Sequence, residues 1–507
     1  MPETLTLTPG ALSLSDIERL RSGGLAVAVE EQAWAEVERS AKLVLDVAAG
    51  DARVYGINTG FGSLARTAIS RDRINDLQRR IVLSHAAGTG VPLPDPIVRL
   101  VLALKINALT LGLSGCQRTT IEALVRLYNH DALPVIPAKG SVGASGDLAP
   151  LAHLSAVLLG YGEVRMGGET VPASAALRRV GLEPVTFAAK EGLALLNGTQ
   201  VSAALALDGL IRAKRNFAAA VVAGALSVDA SLGADTPFDP RISAARGQVG
   251  QTRVAAVYHN LLRGSEIRKS HEDCDRVQDP YSLRCQPQVM GACLDHLRSV
   301  GDVLLREANA VTDNPLVFCD EGDVLSGGNF HAQPVAMAAD ILALVLAEIG
   351  SMSERRTALL TNGSMSSLPS FLVEDSGVNS GFMIAHVTAA ALAAENKQRA
   401  APASIDSMPT SANQEDHVSM ATHAARRLAG MNDNLADIIA IELLAAAQGI
   451  DFRRPLRTSK TLAQAHELVR QRVPFWDEDR LMAPDIEVVS AMVRDGAFAE
   501  LIATELD

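Results

Sequence analysis

A chain of 507 residues is long enough to bury a sizeable core and to form two or three domains. Hydrophobic residues make up 48% of it but aromatic residues only 4%, so the core must be mostly Ala, Leu and Val, which favours packed helices over sheets. A formal net charge of −12 argues against nucleic acid or an anionic membrane as partner, and five cysteines without a C-x-x-C pair (Cys116, Cys274, Cys285, Cys293, Cys319) fit reduced thiols in the cytoplasm.

In chain order, Met1-Pro2-Glu3-Thr4-Leu5 has no basic stretch followed by an apolar run, which predicts no secretion signal. Weak alternation over residues 4–14 predicts a short strand. Ser15-Asp16-Ile17-Glu18 has capping-box spacing and predicts a helix start. Residues 51–63 read as loop, helices follow near 72–85 and 96–111, and Gly88-Thr89-Gly90 stops the first of these. The run from Gly140 to Pro150 sets three glycines at three-residue spacing, which forbids a stable helix and permits close backbone approach. A helix is predicted directly after it, over 151–159.

Beyond residue 200 the helices lengthen. Met290, Cys293, Leu297, Val300, Leu304, Ala308 and Val311 recur at spacings of three and four, a buried seam of coiled-coil type. Ala424, Leu428, Met431, Leu435 and Ile438 repeat the pattern, and Pro334 opens a third long element reaching Leu360. The apolar windows at 217–226 and 438–447 are too short or too charged for a membrane span. The expectation is an all-α chain: an N-terminal helical domain over 1–200 carrying the glycine loop, then an elongated bundle with a C-terminal helical region over 201–507.

Taken by themselves, the candidate motifs are modest. The glycine loop lacks the Gly-Lys-Ser/Thr ending of a phosphate cradle and the spacing of a nucleophile elbow. Asp416, His417 and His423 suggest metal binding only superficially, because a spacing of six puts the two histidines on different helix faces. Tyr55 reads as a loop aromatic at a core edge and Arg284 as a surface ion pair.

Gly143-Ala144-Ser145-Gly146-Asp147-Leu148 nevertheless resembles the signature of the aromatic amino acid ammonia-lyases. Six further ordered blocks carry the same resemblance: Tyr55-Gly-Ile-Asn-Thr-Gly-Phe-Gly62, Ser84-His-Ala-Ala-Gly88, Gly192-Leu-Ala-Leu-Leu-Asn-Gly-Thr-Gln200, Val277-Gln-Asp-Pro-Tyr-Ser-Leu-Arg-Cys-Gln-Pro-Gln288, Gly327-Gly-Asn-Phe-His331 and Ser411-Ala-Asn-Gln-Glu-Asp-His-Val-Ser-Met420. Ala401, where many members carry histidine, and Gln333, where glutamate is common, depart from the pattern. They bear on pH optimum and kinetic detail, not on the reaction.

The resemblance implies that Ala144, Ser145 and Gly146 cyclise and dehydrate into a 4-methylidene-imidazol-5-one group (MIO), with no external cofactor and no metal. It is closest to members that act on L-histidine and implies removal of ammonia to give urocanate, the first step of histidine degradation. Whether the electrophile bonds the amine or the imidazole stays open. In the implied site Tyr55 is the base, with Tyr281 the next candidate, and an unperturbed phenol near pKa 10 must be lowered to serve. Arg284 binds the substrate carboxylate bidentately. Asn197, Gln278 and Asn314 orient substrate or the prosthetic ring, and Tyr281 and Phe330 line the pocket. His85 and Glu415 set substrate choice, because a carboxylate and a second imidazole can answer ring N–H groups where a purely aromatic substrate prefers an apolar wall. The family assembles as a homotetramer with sites shared between subunits. The alternatives are a tyrosine or phenylalanine lyase or an aminomutase of the same family, and a non-catalytic helical scaffold.

Overall fold

The computed structural model describes residues 3–50, 52–271 and 277–503; Met1, Pro2, Asp51 and Cys274 lie outside these. Helices account for 60% of the chain and the strands are few and short, as the composition requires. Two compact units form, and neither is a single stretch of sequence.

The first unit gathers Met1–Asp208, Gly301–Asp340 and Pro402–Arg426. It contains all the described strands, arranged as four small sheets. Glu3–Leu7 pairs in parallel with Leu25–Val29, placing part of the expected N-terminal strand. The first helix, Leu14–Ser22, is capped two residues earlier than its sequence suggests. Ser13, not Ser15, accepts from the Asp16 amide, and Asp16 answers the Ser13 amide. Leu12 and Ile17, the two positions of a hydrophobic staple around that cap, are both buried, which selects Ser13.

Helices Ile74–His85 and Asp95–Leu109 match the expected pair. The stop at Gly88-Thr89-Gly90 turns out to lead into a strand: Thr89–Pro92 runs antiparallel to Pro137–Lys139. That ladder sets the end of the Ile74–His85 helix beside the entry to the glycine loop, so that a Cβ on Gly140 would lie 3.1 Å from the Gly88 Cα.

The second unit gathers Gly209–Val300, Ile341–Ala401 and Arg427–Asp507, and its described residues are helical or loop. Helix Gln286–Ala308 begins in this unit and ends in the first; its seam residues Met290, Cys293, Leu297, Val300, Leu304 and Ala308 are all buried, and Val311 lies past the helix end and is half-buried. Leu428, Met431, Leu435 and Ile438 are buried likewise in Leu428–Asp451, whereas Ala424 sits in the separate short helix Ala421–Arg426. The core of this unit also holds an ion pair. Arg356 grips Glu442 through Nε (2.5 Å) and Nη2 (2.8 Å), Ser227 donates to the same carboxylate at 2.7 Å, and both charged groups are fully buried. Helix Gln333–Thr361 is long and apolar enough to cross a membrane by length and composition, yet 61% of its most apolar window is buried inside the protein, as in a core helix.

Candidate active site

The glycine loop begins where strand Pro137–Lys139 ends and closes where helix Leu148–Leu158 begins. Gly143 and Gly146 have φ of +65° and +70°, a region L side chains rarely adopt. Space forbids a side chain there as well: a Cβ on Gly143 would lie 2.3 Å from Ser419 Oγ, and one on Gly146 2.2 Å from the Gly198 carbonyl oxygen. The loop is therefore pressed against two other segments along its backbone. The Ser419 hydroxyl donates to the Gly143 carbonyl at 2.8 Å, and the Met420 amide to that of Val142 at 2.8 Å.

Asp147 fastens this arrangement. Its fully buried carboxylate accepts from the Ser141 hydroxyl (2.8 Å), the Ser202 amide (2.7 Å) and hydroxyl (2.9 Å), and the Thr422 hydroxyl (2.5 Å). Its own amide donates to Gly198 at 2.7 Å. An anion at the start of two helices, Leu148–Leu158 and Gln200–Ala230, is favoured by their unpaired amides.

Ser145 sits at the loop's apex with both of its oxygens engaged. Its carbonyl accepts from Asn197 Nδ2 at 2.7 Å, and its hydroxyl donates to Glu415 Oε1 at 2.6 Å. The other Glu415 oxygen accepts from Thr410 at 2.5 Å. Asn197 is held from behind by Lys105, whose ammonium donates to the backbone carbonyls of Asn197 (2.9 Å) and Ala194 (3.1 Å). Burial pulls the Lys105 ammonium down to about 8. The Asn197 side-chain oxygen is buried without a protein partner, an acceptor left over for a bound group.

These residues line a cleft of about 1520 Å³ within the first unit. Tyr55, His85, Ala144, Ser145, Asn197, Asn314, Phe330 and Glu415 all reach its walls, with Gly146 just behind in the loop. Tyr55 rides a tight turn held by Asn58, whose amide bonds Ala52 and Val54 at 2.8 Å each, and the Gly62 amide donates to the Tyr55 hydroxyl oxygen at 3.2 Å. His85 ends its helix against Ser84, 3.0 Å from Nδ1. Burial lowers its pKa, while the Ile81 backbone and the nearby Glu415 charge act the other way. Asn314 is occupied in holding the segment after strand Asp323–Leu325, through Ser326 (2.9 Å) and the Gly327 amide (2.7 Å).

Gln278, Tyr281 and Arg284 are not among the cleft's walls. They belong to the second unit, where Tyr281 is 72% exposed and Arg284 lies over its ring, 5.6 Å from the centroid. Sequence reasoning misses several participants. Asp147 stands inside the motif itself, and Lys105, a single charge within the apolar run Leu100–Leu109, is a visible signal. Ser141, Thr410 and the stacked pair His331–His417 (5.8 Å between centroids) have no local signal.

Comparison with known proteins places this geometry. Residues 12–471 match the family model described as aromatic amino acid lyase. Histidine ammonia-lyase of Burkholderia pseudomallei strain 668 is 59% identical over 497 residues, covering 98% of each chain. The solved structure of histidine ammonia-lyase from Trypanosoma cruzi superposes with a TM-score of 0.92 at 40% identity, over 99% of this chain and 95% of that one. Tyrosine aminomutase from Streptomyces globisporus reaches the same TM-score at 34% identity, over 100% and 99%. The chain belongs to the aromatic amino acid lyase family.

Proposed function

We infer that this chain is an ammonia-lyase that converts L-histidine to urocanate and ammonia. The observation that carries the choice of substrate is the placement of Glu415 and His85 in one cleft, close enough for the carboxylate's charge to act on the imidazole. A ring with N–H groups satisfies both; a phenyl ring leaves Glu415 Oε1 without a donor once the Ser145 hydroxyl is consumed, which is costly inside a cleft.

The loop fits the prosthetic group expected of it. Gly146 has no side chain to obstruct closure onto the small, buried Ala144, and Asn197 already holds the Ser145 carbonyl that would remain in the ring. When formed, MIO supplies an electrophilic methylidene carbon. The chain's own residues do the rest. Tyr55, its oxygen facing a fixed amide donor, takes the β-proton as phenolate. Glu415 and His85 hold the imidazole, Phe330 packs beside it, and the free Asn197 oxygen accepts from the substrate's amino group.

Gln278, Tyr281 and Arg284 complete the site from a neighbouring copy in a cytoplasmic homotetramer. Their absence from the cleft walls, together with the exposure of Tyr281, supports that reading. There Arg284 pairs with the substrate carboxylate.

The test is an assay of purified protein with L-histidine, following the ultraviolet absorbance of urocanate and the release of ammonia. Equimolar products are expected; absence of both overturns the assignment.

A further inference from the structure

In the unreacted tripeptide the Ser145 hydroxyl donates to Glu415 Oε1 at 2.6 Å, shorter than a neutral hydroxyl pair and typical of a charge-assisted contact. An independent feature aims that carboxylate. Ser411, Ala412 and Asn413 have φ of +51°, +55° and +63°, three consecutive non-glycine residues in the left-handed region just before Glu415. The Thr410 amide closes the turn on the Glu415 carbonyl at 2.9 Å, and the Thr410 hydroxyl fixes Oε2. Strain of this kind persists where the surroundings impose it, and it gathers at functional sites. Here it presents a carboxylate to a hydroxyl that maturation must expel.

We propose that Glu415 transfers the proton in the self-dehydration of Ser145, in addition to any contact with substrate. This rests on the prosthetic-group reading above. Ring closure joins the Gly146 nitrogen to the Ala144 carbonyl carbon, and the Ala144 oxygen leaves as water with the amide hydrogens of Gly146 and Ser145 as a C=N bond forms. The second water contains the Ser145 hydroxyl and its Cα hydrogen. Hydroxide is a poor leaving group, so Oγ needs a proton as the Cβ–Oγ bond breaks. Glu415 takes the proton from Cα, the carbon two bonds from the oxygen it already touches, and gives it to Oγ. The Cα–Cβ double bond forms, and the carboxylate ends as it began. No oxidant or added reactant enters.

The experiment follows the mass of full-length chain after cell-free synthesis, in wild type, Glu415→Gln and Glu415→Asp, with circular dichroism confirming a common fold. Wild type is expected to lose two waters. Glu415→Gln keeps the shape but cannot carry the proton, so two-water loss slows at least about 100-fold. Glu415→Asp keeps the acid and matures faster than the Gln variant. A purely structural role predicts the reverse order, because Gln is the closer isostere. Two-water loss in Glu415→Gln at the wild-type rate, or Asp no faster than Gln, overturns the proposal and leaves the prosthetic-group reading standing. Wild type that keeps its full mass overturns both.

Discussion

The Asp147 carboxylate and the Ser202 backbone amide meet at 2.7 Å, tying the exit of the glycine loop to the first turn of helix Gln200–Ala230. Ser141 and Thr422 close on the same carboxylate, so one buried carboxylate ties the loop to itself and to two distant segments. A fixed loop is what a backbone cyclisation needs, since an amide nitrogen must reach a carbonyl two residues away.

The loop glycines are constrained by close neighbours. Gly146→Ala puts a Cβ 2.2 Å from the Gly198 oxygen at a φ of +70°. The variant is expected to keep the full mass of the tripeptide and to lose turnover, as it cannot form the electrophile. Peptide mass spectra check it, and normal two-water loss in Gly146→Ala would show that the close approach is not required.

Tyr55→Phe removes the phenol proposed above as base and leaves the loop untouched. Two-water loss should remain normal while kcat falls about 10²–10⁴-fold, the range for loss of a general base. A near-normal kcat moves the role to Tyr281.

Shared sites have a complementation test. Tyr55→Phe and Arg284→Ala, each nearly inactive alone, should regain activity when co-assembled, because some sites then combine an intact Tyr55 from one copy with an intact Arg284 from another. No recovery in mixed assemblies, verified by light scattering, rules out that arrangement.

Asp229, in the second unit, gives a pH dependence of stability. Burial raises its pKa to about 6 despite hydrogen bonds from Ser265 and Thr458. Because the folded chain holds this proton at pH values where the unfolded chain has released it, stability falls as pH rises from about 4 to 6. At about 1.4 kcal/mol per pKa unit, the contribution is on the order of 3 kcal/mol. Denaturant titrations of wild type and Asp229→Asn should diverge over that window, and parallel curves would contradict the assignment.

Legibility in the sequence divides along a physical line. Features set by neighbours in sequence are legible: the glycine loop, the Tyr55 turn, the three-and-four spacing that buries Met290 to Ala308. Features that depend on distant partners are not. The carboxylate of Asp147 becomes a clamp only when Ser202 and Thr422 arrive, 55 and 275 residues away. Glu415 reads from the sequence as a contact for the substrate ring, whereas its meeting with Ser145 spans 270 residues. The Thr89–Pro92 and Pro137–Lys139 strands are three or four residues long and contain Gly or Pro, so no alternation announces them. The capping box read at Ser15 is not the one used, because burial of Leu12 and Ile17 places the cap at Ser13.

Substrate choice is the central claim, and the ratio of kcat/KM for L-histidine to that for L-tyrosine and L-phenylalanine tests it most directly. A cleft whose polar groups are answered only by the right ring discriminates by about 10⁴-fold or more. Absorbance of urocanate against that of the cinnamate-type products should give a ratio of that size in the unmodified enzyme, and a much smaller one after His85→Leu, which leaves the maturation contact of Glu415 with Ser145 in place. Comparable values for histidine and tyrosine in the unmodified enzyme would contradict the account.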